Sequence, residues 1–209
     1  MRTRSLLRLG ALAGPVFVGT YTVTGRRLSG YDRRRDPVSV LARAEVGWIQ
    51  TLNFIVSGSL TLAGSVGIRR ALPAGIGKRS IPMVVAAVGV GLLGAGVFAT
   101  DLAEETARDG LSLRGALHVA SAVPFFVGLP TACMISAYRF AAEGHGVLAA
   151  VSMNGGVVSM AAATLAGAGF AGKQPLEARA GTYQRIAVVA GLGWLSLFAG
   201  MLVAADGER

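Results

Sequence analysis

Residues 94–121 read GAGVFATDLAEETARDGLSLRGALHVAS. An apolar run ends on Asp101, a short acidic stretch follows, and a second apolar run begins with His118 in its first turn. So short a connection folds two helices back on each other, and the carboxylate and the imidazole then lie at similar depth near one membrane face. Ionisable groups that close to lipid are costly and mark functional sites. The same alternation of apolar run and short polar turn repeats along the whole chain.

The 209 residues are 53% hydrophobic, with a mean hydropathy of +0.57, and 15% are charged. An average soluble domain carries about 25% charge, and apolar runs near 20 residues are long enough to cross a bilayer. The expectation is an all-α polytopic membrane protein, a six-transmembrane-helix up-and-down bundle forming one domain over residues 1–209. Its spans fall at about 6–25, 46–68, 81–100, 115–138, 147–170 and 186–205. The start of the chain resembles a signal peptide, but no A-x-A pattern follows, so it reads as the first span. Eighteen arginines against two lysines, with much Ala and Gly, suggest a GC-rich bacterial source and hence a bacterial inner or plasma membrane.

A net charge of +9 would point to nucleic acid in a soluble protein. Here the arginines flank apolar spans, where each gains about 1 kcal/mol beside anionic lipid head groups. Membrane lipids are therefore the expected partners, and nucleic acid is not. Cys133 is the single cysteine, so the chain has no intrachain disulfide, and no metal or cofactor is expected. The run GIGKRS at residues 75–80 looks like the end of a phosphate loop but lacks that motif's first glycine.

Asp36 followed by Pro37 reads as a helix start, with Pro37–Ala44 lying along the interface. In the second span Gln50, Asn53 and Ser57 share one face, with Asn53 roughly 10 Å in. Four-residue spacing of small residues, Ala87, Gly91 and Ala95 in the third span, favours close helix packing. Gly155, Ser159, Ala163 and Gly167 repeat that spacing in the fifth span, which predicts a tightly packed inner helix with Asn154 in a structural role. Pro124 and Pro130 predict a kinked fourth span, with Tyr138 and Arg139 at its far interface.

With six spans, the first, third and fifth connections share a face. Gln50 and Asn53 reach it from the second span, Asp101 and His118 flank the third connection, and Gln184 and Arg185 begin the sixth span. Tyr21 points to the same leaflet, whereas His145 lies at the opposite end, so topology excludes a two-histidine metal site. Each residue alone has an ordinary reading: a helix-ending acid, a hydrogen-bonded imidazole, a snorkelling arginine. Together, Gln50, Asn53, Asp101, His118, Gln184 and Arg185 form a polar cluster in a bundle otherwise poor in polar side chains, the expected lining of a ligand pocket.

The segments DPVSVLARAEVGWIQTLNFIVSG, GVFATD, the LH after the acidic loop and the closing TYQRI resemble bacterial membrane proteins of the domain of unknown function 998 family. The resemblance spans nearly the whole chain and implies a six-helix integral membrane protein. It places the family's acid on Asp101, its histidine on His118 and its interfacial Pro-x-Ser segment on Pro37 to Ser39. Leu102 stands where the family often has proline.

Four functions fit this pattern. The first is binding of a lipid or small molecule at the polar pocket. The others are a structural or partner-binding subunit, an intramembrane enzyme with Asp101 orienting His118 as base, and a proton-coupled carrier. No activated serine or cysteine and no inverted repeat support the last two. Lys and Arg divide eleven to nine between the two faces, and acidic residues favour the first face, so both termini are expected in the cytoplasm. Nothing in the sequence specifies an oligomeric state.

Overall fold

The first connection, residues 28–47, is folded over one end of the helices rather than spread along the interface. Its residues 38–43 form a single 3-10 segment in which Val38 is 3% exposed and Leu41 is fully buried. The expected interfacial helix is therefore a plug. Asp36 does not cap it either: the Asp36 carboxylate accepts from the Asp32 amide at 2.8 Å, closing a turn of its own. The carbonyls of Arg34 and Arg35 accept the amides of Thr182 and Gly181 at 2.9 and 3.1 Å. These are donors that the first turn of a helix would otherwise leave unpaired.

The computed structural model describes residues 1–206, and among them six helical spans are long and apolar enough to cross a membrane. The helices are α1 (Thr3–Arg27), α2 (Trp48–Ala71), α3 (Ser80–Val97), α4 (Ala103–Asp109), α5 (Leu113–Val123), α6 (Leu129–Ala142), α7 (Gly146–Phe170) and α8 (Ala180–Asp206), with no strand among the described residues. A π-helical turn, Pro124–Gly128, joins α5 and α6 into the fourth span. The short α4 forms within the acidic third connection, where the sequence reading had only a loop. Arg70 donates to the Met1 carbonyl, and Ala205 lies against the second and fourth connections, so both chain ends sit at one end of the bundle. Arg209, counted above at the C-terminal side, lies outside the described residues.

The spans close into a ring. α1 packs on α2 and α8, α2 on α3, α3 on both halves of the fourth span, α6 on α7, and α7 on α8. Glycine permits the closest approaches. A Cβ on Gly10 would stand 2.7 Å from the Gly64 Cα, and one on Gly58 would stand 2.9 Å from the Gly89 carbonyl oxygen. These contacts join α1 to α2 and α2 to α3. Without a hydrophobic drive between helices in lipid, such close backbone packing is what holds them together.

The expected inner helix is instead the most lipid-facing one. Only 22% of the most apolar stretch of α7 is buried, against 50% in α2, and Gly167 is exposed with nothing near its missing Cβ. The buried face of α7 runs along Ser152, Gly156, Ser159, Ala162, Ala166 and Gly169, in a register only partly shared by the glycine ridge. Asn154 is exposed and donates to the Ala150 carbonyl. In α3, likewise, Gly91 and Ala95 are buried but Ala87 is exposed. Four-residue spacing drifts around a 3.6-residue helix, so a long ridge leaves the interface it started in.

Candidate functional site

The polar residues at the end formed by the first, third and fifth connections separate into three groups. Asp101 belongs to the third connection. Its Oδ1 accepts the Ser112 hydroxyl at 2.7 Å and its Oδ2 accepts the Ser112 amide at 2.8 Å. The Ser112 oxygen in turn caps α5 by accepting the Gly115 amide at 3.0 Å. A Cβ on Gly115 would overlap the carboxylate, so that glycine makes room for Asp101. The two bonds from Ser112 hold the Asp101 carboxyl below its ordinary value of 3.8. Ser112 carries a sequence signal, a serine directly before an apolar periodic run, which the reading of this stretch passed over.

His118 is the sixth residue of α5, 7% exposed, and its Nδ1 bonds the Phe98 carbonyl at 2.7 Å. Asp101 therefore does not orient His118; the end of α3 does. An enzyme reading built on a hydrogen-bonded Asp101–His118 pair has no geometric basis here. The ring of His118 stands edge-on to Phe54, 6.2 Å between centroids, in an aromatic cluster continued by Phe17 and Phe125.

Asn53 and Gln50 form the second group. The Asn53 amide donates to the Phe17 carbonyl at 3.1 Å and to Gln50 Oε1 at 3.3 Å, and it accepts from Ser57 at 3.4 Å. The first of these bonds ties α2 to α1 within the core, and the other two lie within α2. Gln50 is fully buried, and its Nε2 has no partner among the described residues. Such an orphaned amide costs on the order of 1–3 kcal/mol.

Arg185 and Gln184 organise the third group by docking the first connection on α8. Gln184 Oε1 accepts the Val38 amide at 2.8 Å. Arg185 Nη1 donates to the carbonyls of Arg33, Asp36 and Gly181 at 2.7, 3.1 and 2.8 Å, and Nη2 donates to the Tyr31 hydroxyl. The guanidinium also stands 5.8 Å from the Tyr21 ring centroid and 5.5 Å from that of Tyr31. Burial pushes the Tyr31 phenol above its ordinary value against the opposing pull of Arg185, so it stays protonated and donates to the Pro37 carbonyl. Among the described residues no carboxylate forms an ion pair with Arg185.

Two of the concavities at this end are lined by residues of the predicted cluster. An open groove of about 780 Å³ runs over α8 between α1 and α7. Its rim is Tyr31, Asp32, Arg33, Arg34 and Arg185, and its lower flank is Val18, Val158, Ile186, Val189 and Ala190. A separate cavity of about 60 Å³ is lined by His118, Gln184, Ser39 and Ser121 among apolar side chains. Asp101, Asn53 and Gln50 line neither. The sequence-predicted residues thus share one end of the bundle but not one pocket. Tyr31 and the Arg33–Arg34 pair, which the sequence reading did not single out, line the groove, whereas five of the six predicted residues do not. Among the described residues no three His, Cys, Asp or Glu side chains gather as a metal-binding group.

Six apolar spans in a ring, with the polar end stitched by Arg43–Glu105 at 2.5 Å and by Arg35–Glu177, define a polytopic membrane protein. More particularly, the chain belongs to a family described as protein of unknown function (DUF998), whose model matches residues 11–201. No curated protein and no solved structure matches it.

Proposed function

We propose that the protein binds an anionic lipid in the groove over α8, with the phosphate at the arginine rim and an acyl chain along the apolar flank. The observation that carries this reading is the junction itself. Three arginines, Arg33, Arg34 and Arg185, line the groove with a single acid, Asp32, beside the exposed Ile186 and Val189. The Asp32 Oδ1 already accepts the Arg34 amide at 2.9 Å, and Arg185 has no acidic partner among the described residues. A phosphate diester supplies the missing charge at head-group depth, with the geometry that guanidinium groups favour.

With both termini in the cytoplasm, the groove faces the outer leaflet. Reporter fusions at the two ends test that orientation: two cytoplasmic readings fit it, and two external readings put the same groove in the inner leaflet. The binding test is thermal stability in nanodiscs of phosphatidylglycerol against phosphatidylcholine. Wild-type protein is stabilised by the anionic lipid, and Arg33→Gln with Arg34→Gln removes the difference. Equal stability of wild type in both lipids overturns the proposal.

One further observation favours a second reading, a structural or partner-binding subunit. The side chains of Asn53, Ser57 and Asp101 are all paired within the protein. In that case the lipid panel is flat and the protein copurifies with a fixed stoichiometry of another chain.

A further inference from the structure

The fourth span is not one uniform wall of the ring. Its lower half, α6, packs on α3, α7 and α8, whereas its upper half, α5, packs chiefly on α3 alone. The π-helical turn Pro124–Gly128 lies where the packing changes. Pro124 supplies no amide to an α-helical ladder, and a wider turn accommodates the lost bond. The ring is accordingly parted between the upper fourth span and α8, and the cavity of about 60 Å³ sits behind that parting. Phe17, Phe54, Phe125 and Phe126 line it, with Ala122 half-exposed.

Four polar side chains line this space: Ser121 already donates to the Leu117 carbonyl, Ser39 contributes a further hydroxyl, and His118 and Gln184 bring unused polar capacity. The Phe98 carbonyl can only accept, so His118 carries its proton on Nδ1. In the neutral ring Nε2 then holds a lone pair, and no protein group donates to it among the described residues. Gln184 Oε1 is committed to the Val38 amide, which leaves the Nε2 hydrogens of Gln184 without a protein acceptor. An acceptor on His118 and a donor on Gln184, in a cavity that also carries the Ser39 and Ser121 hydroxyls, match a group that both donates and accepts through a single atom. That group is a hydroxyl. A carbonyl would face the His118 lone pair, and a carboxylate would be repelled by it.

We infer that this cavity receives the hydroxyl of a neutral membrane-dissolved alcohol, whose O–H donates to His118 Nε2 and whose oxygen accepts from the Gln184 amide. The cavity holds about two waters' worth of volume, so it takes the hydroxyl and its first carbons while the chain leaves through the parting beside α5. His118 lies roughly 9 Å along α5 from its polar start. The inference uses none of the groove's lining residues and stands or falls apart from the lipid reading.

The test is a melting-temperature series on the full chain in detergent with 1-dodecanol, dodecyl methyl ether or dodecane. 1-Dodecanol raises the melting temperature of wild type, whereas the ether, which cannot donate, and the alkane do not. His118→Phe keeps the aromatic packing and loses the shift. Ala122→Leu fills the cavity, leaves every polar group in place and loses it too, so the result does not depend on the histidine variant folding. In ¹⁵N-histidine spectra of wild type, 1-dodecanol moves the Nε2 resonance and leaves Nδ1 in place. Equal shifts with all three compounds, or a dodecanol response that survives Ala122→Leu, overturn the inference. So does an Nε2 resonance that dodecanol leaves unmoved, which means that the cavity holds water alone.

Discussion

At one end of the bundle Arg139 reaches from α6 to the carbonyls of Pro73, Ile76 and Ala74, at 3.3, 2.8 and 3.4 Å. At the other end Arg185 reaches from α8 to the carbonyls of Arg33 and Asp36. Each arginine pins a connection onto a helix through backbone oxygens, which a planar guanidinium with five donors does well. They differ in what balances the charge. Arg139 is 3% exposed and pairs with Glu143 at 2.8 Å, so its own charge is balanced, although a concavity of about 420 Å³ lies beside it as well. Arg185 has aromatic faces and a phenol but no acid among the described residues, and a groove lies beside it. The same device thus serves as a clamp with its charge balanced at one end, and as the edge of the proposed lipid groove with its charge unbalanced at the other.

The comparison breaks most visibly at Arg139. Arg139→Met leaves three loop carbonyls and Glu143 without their donor, and the loss of stability should be about 3 kcal/mol, read by denaturant unfolding in micelles. A loss no larger than that of Glu143→Gln, a half-exposed acid expected to cost under about 1 kcal/mol, would show that the ion pair rather than the clamp matters.

Arg185→Gln sharpens the other half. It loosens the first connection, and it also removes stabilisation by anionic lipid, which for a lipid at a hundred times its Kd amounts to about 2.7 kcal/mol. Arg139→Met should leave the anionic-lipid increment intact. If both variants lose the increment alike, the two ends do not differ in function.

Asn53→Ala tests whether the core amide belongs to either end. It should cost about 0.6 kcal/mol, the average for hydrogen bonds between membrane helices, and leave the lipid response unchanged. Asn53 and Asp101 share no partner, so Asn53→Ala and Asp101→Asn should add without coupling. Coupling above about 0.5 kcal/mol in that cycle would return them to one site.

The smallest effect concerns pH. The Asp101 carboxyl is held below 3.8 in the folded protein by Ser112, so it favours the folded state fully above that value. Its contribution disappears as pH falls through the folded value. Ser112→Ala moves the Asp101 titration back toward 3.8, observable by ¹³C-carboxyl NMR, while melting temperatures above pH 6 change only by the lost helix cap.

The six spans were legible in the sequence because apolar length is a local property, and a bilayer demands about 20 such residues wherever they fall. Topology followed from their number, so the meeting of Gln184, Arg185, Asp101 and His118 at one end was legible as well. Which of them touch was not. Asp101 turns to Ser112 and His118 to the Phe98 carbonyl because each finds a hydrogen-bond partner at the helix ends beside it, closer than the other. Leu41 is buried and Gly167 exposed for a related reason. Sequence spacing fixes which residues share a helix face, but the rotation of that face toward neighbours or lipid is set by where glycines such as Gly10 and Gly64 let two backbones meet. Local chemistry set the elements and their order. Only the packed ring decided which polar groups would be spent on holding it together and which would stay unpaired.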